Sequence, residues 1–567
     1  MKCTGARAVI ECLVEQGVDT VFGYPGGAIL NLYDELYKNQ DRIRHIITAH
    51  EQGAAHAADG YSRSTGKTGV VMATSGPGAT NLVTGIASAY MDSSPMVVIT
   101  CNVVASLLGK DSFQEVDTAG ITMPVTKHNY LVRDPEKLVE TIREVFVIAR
   151  SRRPGPVLID ILKDVTAAQV DYEALTEVEY NRVFLEAPRI RRFTAVPEPS
   201  DDDIEQAAGV INRAEKPLLL VGGGVVIADA VLEAAALAER AQIPAVVSLM
   251  GKTAFPSTHP LCLGMIGMHG TKAANLACNQ SDLLIAVGAR FSDRVISNPQ
   301  KFGKHGSVLQ IDIDPAEINK NVHVKTALVG DIRNIISRLL PLVNVRQKSA
   351  WNGQTAEWRK QVPPMYEKRV DLHPRKIIET VHRVLGDDTI ITTEVGQHQM
   401  WTAQFYPFVK PRTFITSGGL GTMGFGTGAA IGAQIANPTR FVVHFAGDGS
   451  FMMNCNELAT IAHYGLPIII VLFHNGTLGM VRQWQNLFYG KRFSSTTLDF
   501  CPDFIKLADA YGIGAARITR DGEFERVFSD AAKERKPFLI DCVIDIDLPV
   551  LPMVPPGMAI EETMLDI

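Results

Sequence analysis

The chain has 567 residues, 46% hydrophobic and 20% charged, a composition that excludes a disordered or collagen-like polymer and allows three or four domains at roughly 150 residues each. Lys and Arg number 55 against 61 Asp and Glu, giving a net charge of −6 without long runs of one sign, so no nucleic-acid partner is expected. The apolar run Leu466–Phe473 falls far short of the ~20 residues that span a bilayer, so no membrane partner is expected either.

In chain order, Thr4 is placed to cap a helix that presents Val9, Ile10, Leu13 and Val14 and ends near Gly17; Glu11 and Glu15 argue against a signal peptide. Ile43–Thr48, Gly69–Thr74 and Met96–Cys101 read as buried parallel strands, with a glycine turn at Ser75–Asn81 leading into a small-residue helix. A second set begins with the strand entering Gly222–Gly224 and continues through Ala245–Leu249, Asp282–Val287 and Val308–Ile313. A third comprises Thr389–Thr393, Phe441–Phe445, Leu466–Phe473 and Phe538–Val543. Repeated strand–helix units of this kind predict an α/β protein of three doubly wound parallel-sheet domains. Polar, proline-bearing stretches at 171–203 and 345–371 read as linkers, each long enough to hold a helix. The expected domains are 1–170, 190–345 and 365–545, followed by a tail, 546–567. Eight scattered cysteines without a Cys-x-x-Cys pair argue against zinc ribbons and suit a reducing, cytoplasmic compartment.

Three stretches could carry chemistry. Ala446–Ser450, containing Gly447-Asp448-Gly449, follows one predicted strand, and Asn475 follows the next. A strand–helix–strand unit brings both to neighbouring carboxyl ends, where parallel sheets bind ligands. A carboxylate, an amide oxygen and a backbone carbonyl are hard donors suited to Mg²⁺, and the glycines let backbone approach phosphate. The triplet alone reads as a turn; only the matched downstream Asn favours the ligand reading. Glu51 opens a helix of Ala and Gly after a predicted strand, where small neighbours would place its carboxyl in a confined site able to exchange a proton near neutrality. The glycine-rich run Gly418–Gly428, with Met423 inside it, implies backbone lying against a closely approaching group.

Together these features resemble the thiamine diphosphate enzymes, and finer detail resembles the acetolactate synthase catalytic subunit. The supporting stretches are Val21–Gly27, Phe113–Glu115, Leu162–Val165, Gly267–Gly270, Gly288–Arg294 and Gly479–Trp484. The resemblance implies an N-terminal pyrimidine-binding, a central FAD-binding-like and a C-terminal diphosphate and magnesium domain. It implies decarboxylation of pyruvate on thiamine diphosphate and ligation of the hydroxyethyl carbanion to a second pyruvate or to 2-ketobutyrate, in branched-chain amino acid biosynthesis. Catalytic roles fall by resemblance to Glu51, Gln114, Lys163 and the Gly27 amide. Thiamine diphosphate would contact Tyr24, Glu51, Gly421, Met423, Gly447, Asp448, Gly449, Ser450 and Asn475, with Asp448, Asn475 and the Thr477 carbonyl on Mg²⁺. Phe113, Arg294 and Trp484 would meet substrate. Arg153, Gly222, Gly223, Gly224, Met268, His269, Gly288, Arg290, Asp312 and Asp331 match contacts to an FAD with no net redox role. The resemblance also implies a homodimer or homotetramer with active sites between subunits, and a separate small regulatory subunit. Three departures stand out: His474 where the family has Asn, Leu162 where it has Pro, and Ser292 where it has Asp. Rival readings are an FAD-using pyruvate oxidase of the same superfamily and a non-catalytic homologue that binds the cofactor as structure.

Overall fold

The structure, a computed structural model, describes residues 1–185, 188–303, 305–360 and 372–566. Three six-stranded sheets, each wholly parallel, carry the fold. Their strands are near-continuous apolar runs; Met96–Asn102 and Pro217–Val221 are buried along their whole length, as strands covered by helices on both faces must be.

The first sheet runs Arg44–Ile47, Thr20–Tyr24, Gly69–Ala73, Met96–Asn102, Pro156–Leu162, His128–Val132. The third runs Phe414–Ile415, Ile390–Thr393, Val442–Gly447, Ile468–His474, Phe538–Val543, Gly514–Ile518. Counted along the chain, both have the order 2-1-3-4-6-5. The central sheet differs: Cys262–Met265, Ala245–Val247, Pro217–Val221, Leu283–Val287, Ser307–Asp312, Thr326–Val329 give 3-2-1-4-5-6, the order of dinucleotide-binding folds.

The first and third domains share one hydrophobic core. Its centre is the helix Glu51–Thr65 packed on Phe425–Ala436, where Ala54, Ala57 and Ala58 meet Phe425, Ala429 and Ala433. The approach is backbone-close: a Cβ on Gly432 would lie 1.8 Å from Ala57 O, and one on Gly60 2.1 Å from Ala429 O. A buried ionic knot flanks the seam. Arg63 pairs with Asp59 at 2.7 Å and Asp92 at 3.1 Å, and donates to Thr416 O at 2.7 Å.

The central domain starts at the helix Asp201–Arg213, capped by Ser200 with Asp203 closing a capping box. The two polar stretches do hold helices, Glu177–Tyr180 and Pro188–Thr194 in one and Ala350–Arg359 in the other. Trp351 of the latter is 4% exposed in the central core and donates Nε1–H to Pro217 O at 3.0 Å, so this helix packs as part of the central unit. The remainder of that stretch, 361–371 with Pro363 and Pro364, lies outside the described residues. The C-terminal segment lies along the central domain, with Val554 N–H donating to Met268 O at 2.8 Å. Among the described residues no helix is long and apolar enough to cross a membrane.

Candidate active site

Strands Val442–Gly447 and Ile468–His474 pair in register, setting Gly447 beside Phe473 and delivering Asp448 and Asn475 side by side. Asp448 is 2% exposed. Its Oδ1 accepts from Gly449 N–H at 2.8 Å, and its Oδ2 from Gly476 N–H at 2.6 Å and Asn475 N–H at 3.2 Å. Burial raises its carboxyl above the usual range while these amides oppose the rise. A cavity of about 70 Å³ opens beside it, walled by Met423, Gly447, Gly449, Ser450, Asn475 and Thr477. Its lining includes the Asp448 carboxylate and the Asn475 amide, hard oxygen donors of the kind a divalent cation takes. His398, which sequence reasoning missed, also lines this cavity, and its Nε2 is buried without a partner. Burial pushes its pKa down to about 4, leaving a neutral ring to face whatever enters. A glycine is needed at 447, because a Cβ there would lie 2.7 Å from His398 Nδ1. Unpaired ring nitrogen, glycine-cleared wall and oxygen donors together fit a diphosphate carried on Mg²⁺.

A second missed residue organises this cleft. Glu394 is fully buried and accepts from Gly424 N–H at 2.7 Å, Ser450 Oγ–H at 2.8 Å and Thr427 N–H at 3.1 Å. It therefore fastens the glycine-rich run to the Asp448 turn. Burial opposes its charge, but His444, Ser450 and the Thr427 amide outweigh that and hold its pKa low. Asp92 grips the other end of the run, accepting from Gly418 N–H at 3.1 Å and Gly419 N–H at 2.7 Å.

The first-domain candidates gather elsewhere. Glu51 is the first residue of its helix, capped by His50, and its Oε2 accepts from Asn81 Nδ2 at 2.9 Å. Gly78 comes close, since a Cβ there would lie 3.4 Å from Glu51 Oε1. Gln114, at φ +60°, rests on Gly76, where a Cβ would lie 2.9 Å from Gln114 Cα. Tyr24 ends one strand of this sheet and Lys163 follows another, while Gly27 and Phe113 are exposed, Phe113 to 88%. None of these six lines the Asp448 cavity or the larger one described next. Within one chain Glu51 instead sits over its own third domain, where Glu457 accepts from the amides of Ala49 and His50. Glu51 and Asp448, which the resemblance sets on opposite sides of a subunit interface, thus lie apart within a single chain.

A cavity of about 1120 Å³ lies among the three domains. Its floor is the switch point of the central sheet, where Gly288 follows one strand and faces the cavity while Gly222, which follows the neighbouring strand, is not among the lining residues. A Cβ on Gly222 would lie 2.0 Å from Gly288 O, so this crossing requires glycine. Gly223, Gly224 and Arg290 line the same floor. Asp312 stands on the wall, its pKa pushed up to about 6 by burial against an opposing Asp314 amide. His269 and Met268 face it as well, and His269 Nε2 is buried without a partner. Asp331 also reaches the wall, but its Oδ1 caps the following helix through Asn334 N–H at 2.8 Å. Arg153 bridges domains, donating to Ser93 Oγ at 2.8 Å, Glu317 at 2.8 Å and Asp314 at 3.2 Å. The strand order, the glycine crossing and the unpaired His269 nitrogen fit a dinucleotide.

Gly421, Arg294 and Trp484 line the same cavity. Arg294 is largely free: Asp293 is its ion-pair neighbour at 3.8 Å, both side chains mostly exposed, and it donates to Met268 Sδ at 3.6 Å. Trp484 packs with Met268, Leu551 and Met553.

Residues 3–121, 204–339 and 394–542 match family models described as the thiamine pyrophosphate enzyme N-terminal TPP binding domain, central domain and C-terminal TPP binding domain. Over 563 residues the chain is 47% identical to the probable acetolactate synthase large subunit of Methanocaldococcus jannaschii, covering 98% of this chain and 94% of that one. It is 46% identical to the acetolactate synthase isozyme 2 large subunit of Escherichia coli, covering 99% of each. The acetolactate synthase large subunit of Corynebacterium glutamicum is 45% identical, with 98% of this chain and 89% of that one covered.

Proposed function

The chain belongs to the acetolactate synthase large-subunit family of thiamine pyrophosphate enzymes, and on that footing we propose that it joins two 2-keto acids with loss of CO2. Pyruvate with pyruvate gives 2-acetolactate; pyruvate with 2-ketobutyrate gives 2-aceto-2-hydroxybutyrate. The observation that carries this reading is the Asp448 cavity, with its oxygen donor set and its unpaired His398 nitrogen. The relatives do not favour the oxidase alternative, since they are named acetolactate synthases.

Asp448, Asn475 and the Thr477 carbonyl would hold Mg²⁺, with Gly447, Gly449, Ser450 and His398 around the diphosphate and Gly421 and Met423 against the rest of the cofactor. When bound, thiamine diphosphate supplies an electron sink for the carbanion left by decarboxylation. Glu51 is the acid–base group. Asn81 fixes its Oε2, leaving Oε1 to hold and return a proton. Arg294 presents a planar fork of donors to a 2-keto acid carboxylate, and Trp484 an apolar face to the acceptor side chain. Gln114, Lys163, Phe113, Tyr24 and the Gly27 amide would complete the pocket. FAD would occupy the large cavity through Arg153, Gly222, Gly223, Gly224, Met268, His269, Gly288, Arg290, Asp312 and Asp331, without net redox.

Because Glu51 lies away from the Asp448 cavity of its own chain, the reading requires a second copy to supply it, hence a homodimer or a homotetramer. A separate small subunit and a cytoplasmic address belong to the same reading, the latter supported by eight free cysteines. The test is production of acetolactate from pyruvate with Mg²⁺ and thiamine diphosphate, with and without FAD. Mixing Glu51→Gln with Asp448→Asn chains tests the sharing: in random two-fold dimers activity recovers to roughly a quarter of wild type. Recovery of nothing would refute a shared site.

A further inference from the structure

Behind the cleft, a carboxylate oxygen of Asp448, a ring nitrogen of His474 and Cys501 Sγ lie within 4.8 Å of one another. Two ligands on a tetrahedral zinc are about 3.5 Å apart, so small side-chain rotations bring the three into coordination. Asp448 has room for a cation. A carboxylate offers about four lone-pair sites, and three are taken by backbone amides.

His474 is oriented as metal-bound histidines are. Its Nδ1 pairs with Asp541 Oδ1 at 2.9 Å, which leaves Nε2 to coordinate. Asp541 is fully buried, and its other oxygen accepts from Arg517 Nε at 2.8 Å, so the backing carboxylate is itself fixed. Phe504 packs edge-on against the imidazole at 5.2 Å and holds the ring plane. Magnesium does not select thiol and imidazole; a sulfur, nitrogen and oxygen set suits zinc-class ions.

We propose that Asp448, His474 and Cys501 form a binding site for a zinc-class divalent cation, and that its occupation draws Asp448 away from magnesium. The competition rests on the proposed role of Asp448; the binding does not. Coordination forms a metal–sulfur bond and releases the Cys501 proton to solvent, with no change of oxidation state. Burial and the charges of Asp448 and Asp541 keep that thiol protonated up to about 11 without a cation, so uptake is accompanied by proton release.

Cobalt(II), added to the full-length chain freed of divalent ions, is the probe. Wild type gains a thiolate-to-cobalt charge-transfer band that saturates at one ion per chain, and zinc abolishes it. Cys501→Ser lacks the band. Asp541→Asn keeps all three ligands and weakens cobalt binding about 10–100-fold. A band that survives Cys501→Ser, or no band in wild type, overturns the site. In the turnover assay zinc inhibits wild type in competition with Mg²⁺, and Cys501→Ser, with unchanged basal activity, resists it. Equal zinc sensitivity of the two overturns the competition. A cobalt band in a chain that makes no acetolactate would leave this site standing and refute the enzymatic reading instead.

Discussion

Glu394 and Gly424 are joined by a 2.7 Å hydrogen bond, backbone amide to buried carboxylate, that ties the first strand of the third sheet to the end of the glycine-rich run. Through Ser450 and Thr427 the same carboxylate reaches the Asp448 turn and the following helix. Glu394→Ala removes the shared acceptor of Gly424 N–H, Ser450 Oγ–H and the Thr427 amide and hydroxyl, leaving only longer contacts from Gly424 N–H to Ser450 Oγ at 3.3 Å and between Thr427 Oγ1 and His444 Nε2 at 3.5 Å, a loss of about 3–5 kcal/mol in stability. It should also weaken thiamine diphosphate binding, because Met423 and Ser450 lose their common anchor. Glu394→Gln keeps the shape and one acceptor oxygen, so its melting temperature falls between the two. Thermal unfolding together with cofactor titration checks both; equal stability of all three proteins would show that the anchor is unimportant.

Replacement of Glu51 by Gln preserves the Asn81 contact through the amide oxygen and removes the titrating proton. General acid–base groups contribute roughly 10²–10⁴-fold, and turnover should drop by that factor. Cofactor affinity, carried by the Asp448 cleft, should change by no more than a few fold. Steady-state kinetics at saturating thiamine diphosphate, beside a direct binding titration, separates the two effects. Unchanged turnover would remove Glu51 from the mechanism.

What could be read from the sequence was local. Gly447-Asp448-Gly449 after one apolar run and Asn475 after the next imply their own adjacency, because neighbouring parallel strands end at the same edge. The cap at Thr4 and the switch-point glycines follow equally local rules. Several strands lacked a clear apolar run and went unread. His128–Val132 carries His and Asn, and Gly514–Ile518 is an edge strand of Gly, Ala and Arg. Asp92 and Gly418 are 326 positions apart, and no spacing rule connects them. Glu394 could have been suspected, as an acid at a strand end just before Gly396 and an otherwise unexplained Gln397-His398 pair. The strand order of the central sheet is fixed by which helices cover which edges, and that information is spread over the whole domain.

Asp312 gives a pH dependence with a definite sign. Burial raises its carboxyl from 3.8 to about 6, so between those values the folded chain holds a proton that the unfolded chain has lost. Stability therefore falls as pH rises from about 4 to 6, by on the order of 3 kcal/mol in total. Asp312→Asn removes this component. Chemical denaturation of the FAD-free protein at pH 5 and pH 7 should show the variant gaining on wild type at the higher pH. A difference that is the same at both would refute the shift.

Two helical glycines, one at the seam between the first and third domains and one on the central unit, differ in what a side chain would meet. Gly432 lies in the helix Phe425–Ala436, where a Cβ would sit 1.8 Å from Ala57 O and 2.6 Å from Ala57 C. Gly353 lies in the helix Ala350–Arg359, where a Cβ would meet nothing within 4 Å. By helix propensity both gain up to about 1 kcal/mol on replacement by Ala. At Gly353 nothing opposes that gain, so Gly353→Ala stabilises the chain. At Gly432 the new methyl group meets backbone rather than a mobile side chain, and the facing helix presents Ala and Gly that cannot swing aside. Overpacking of this kind costs about 1–3 kcal/mol or more, so Gly432→Ala destabilises despite its better propensity. Opposite shifts in urea midpoint for the two variants are the expected result. Shifts of the same sign would mean that the helices can part without cost and that this contact does not hold the two domains together.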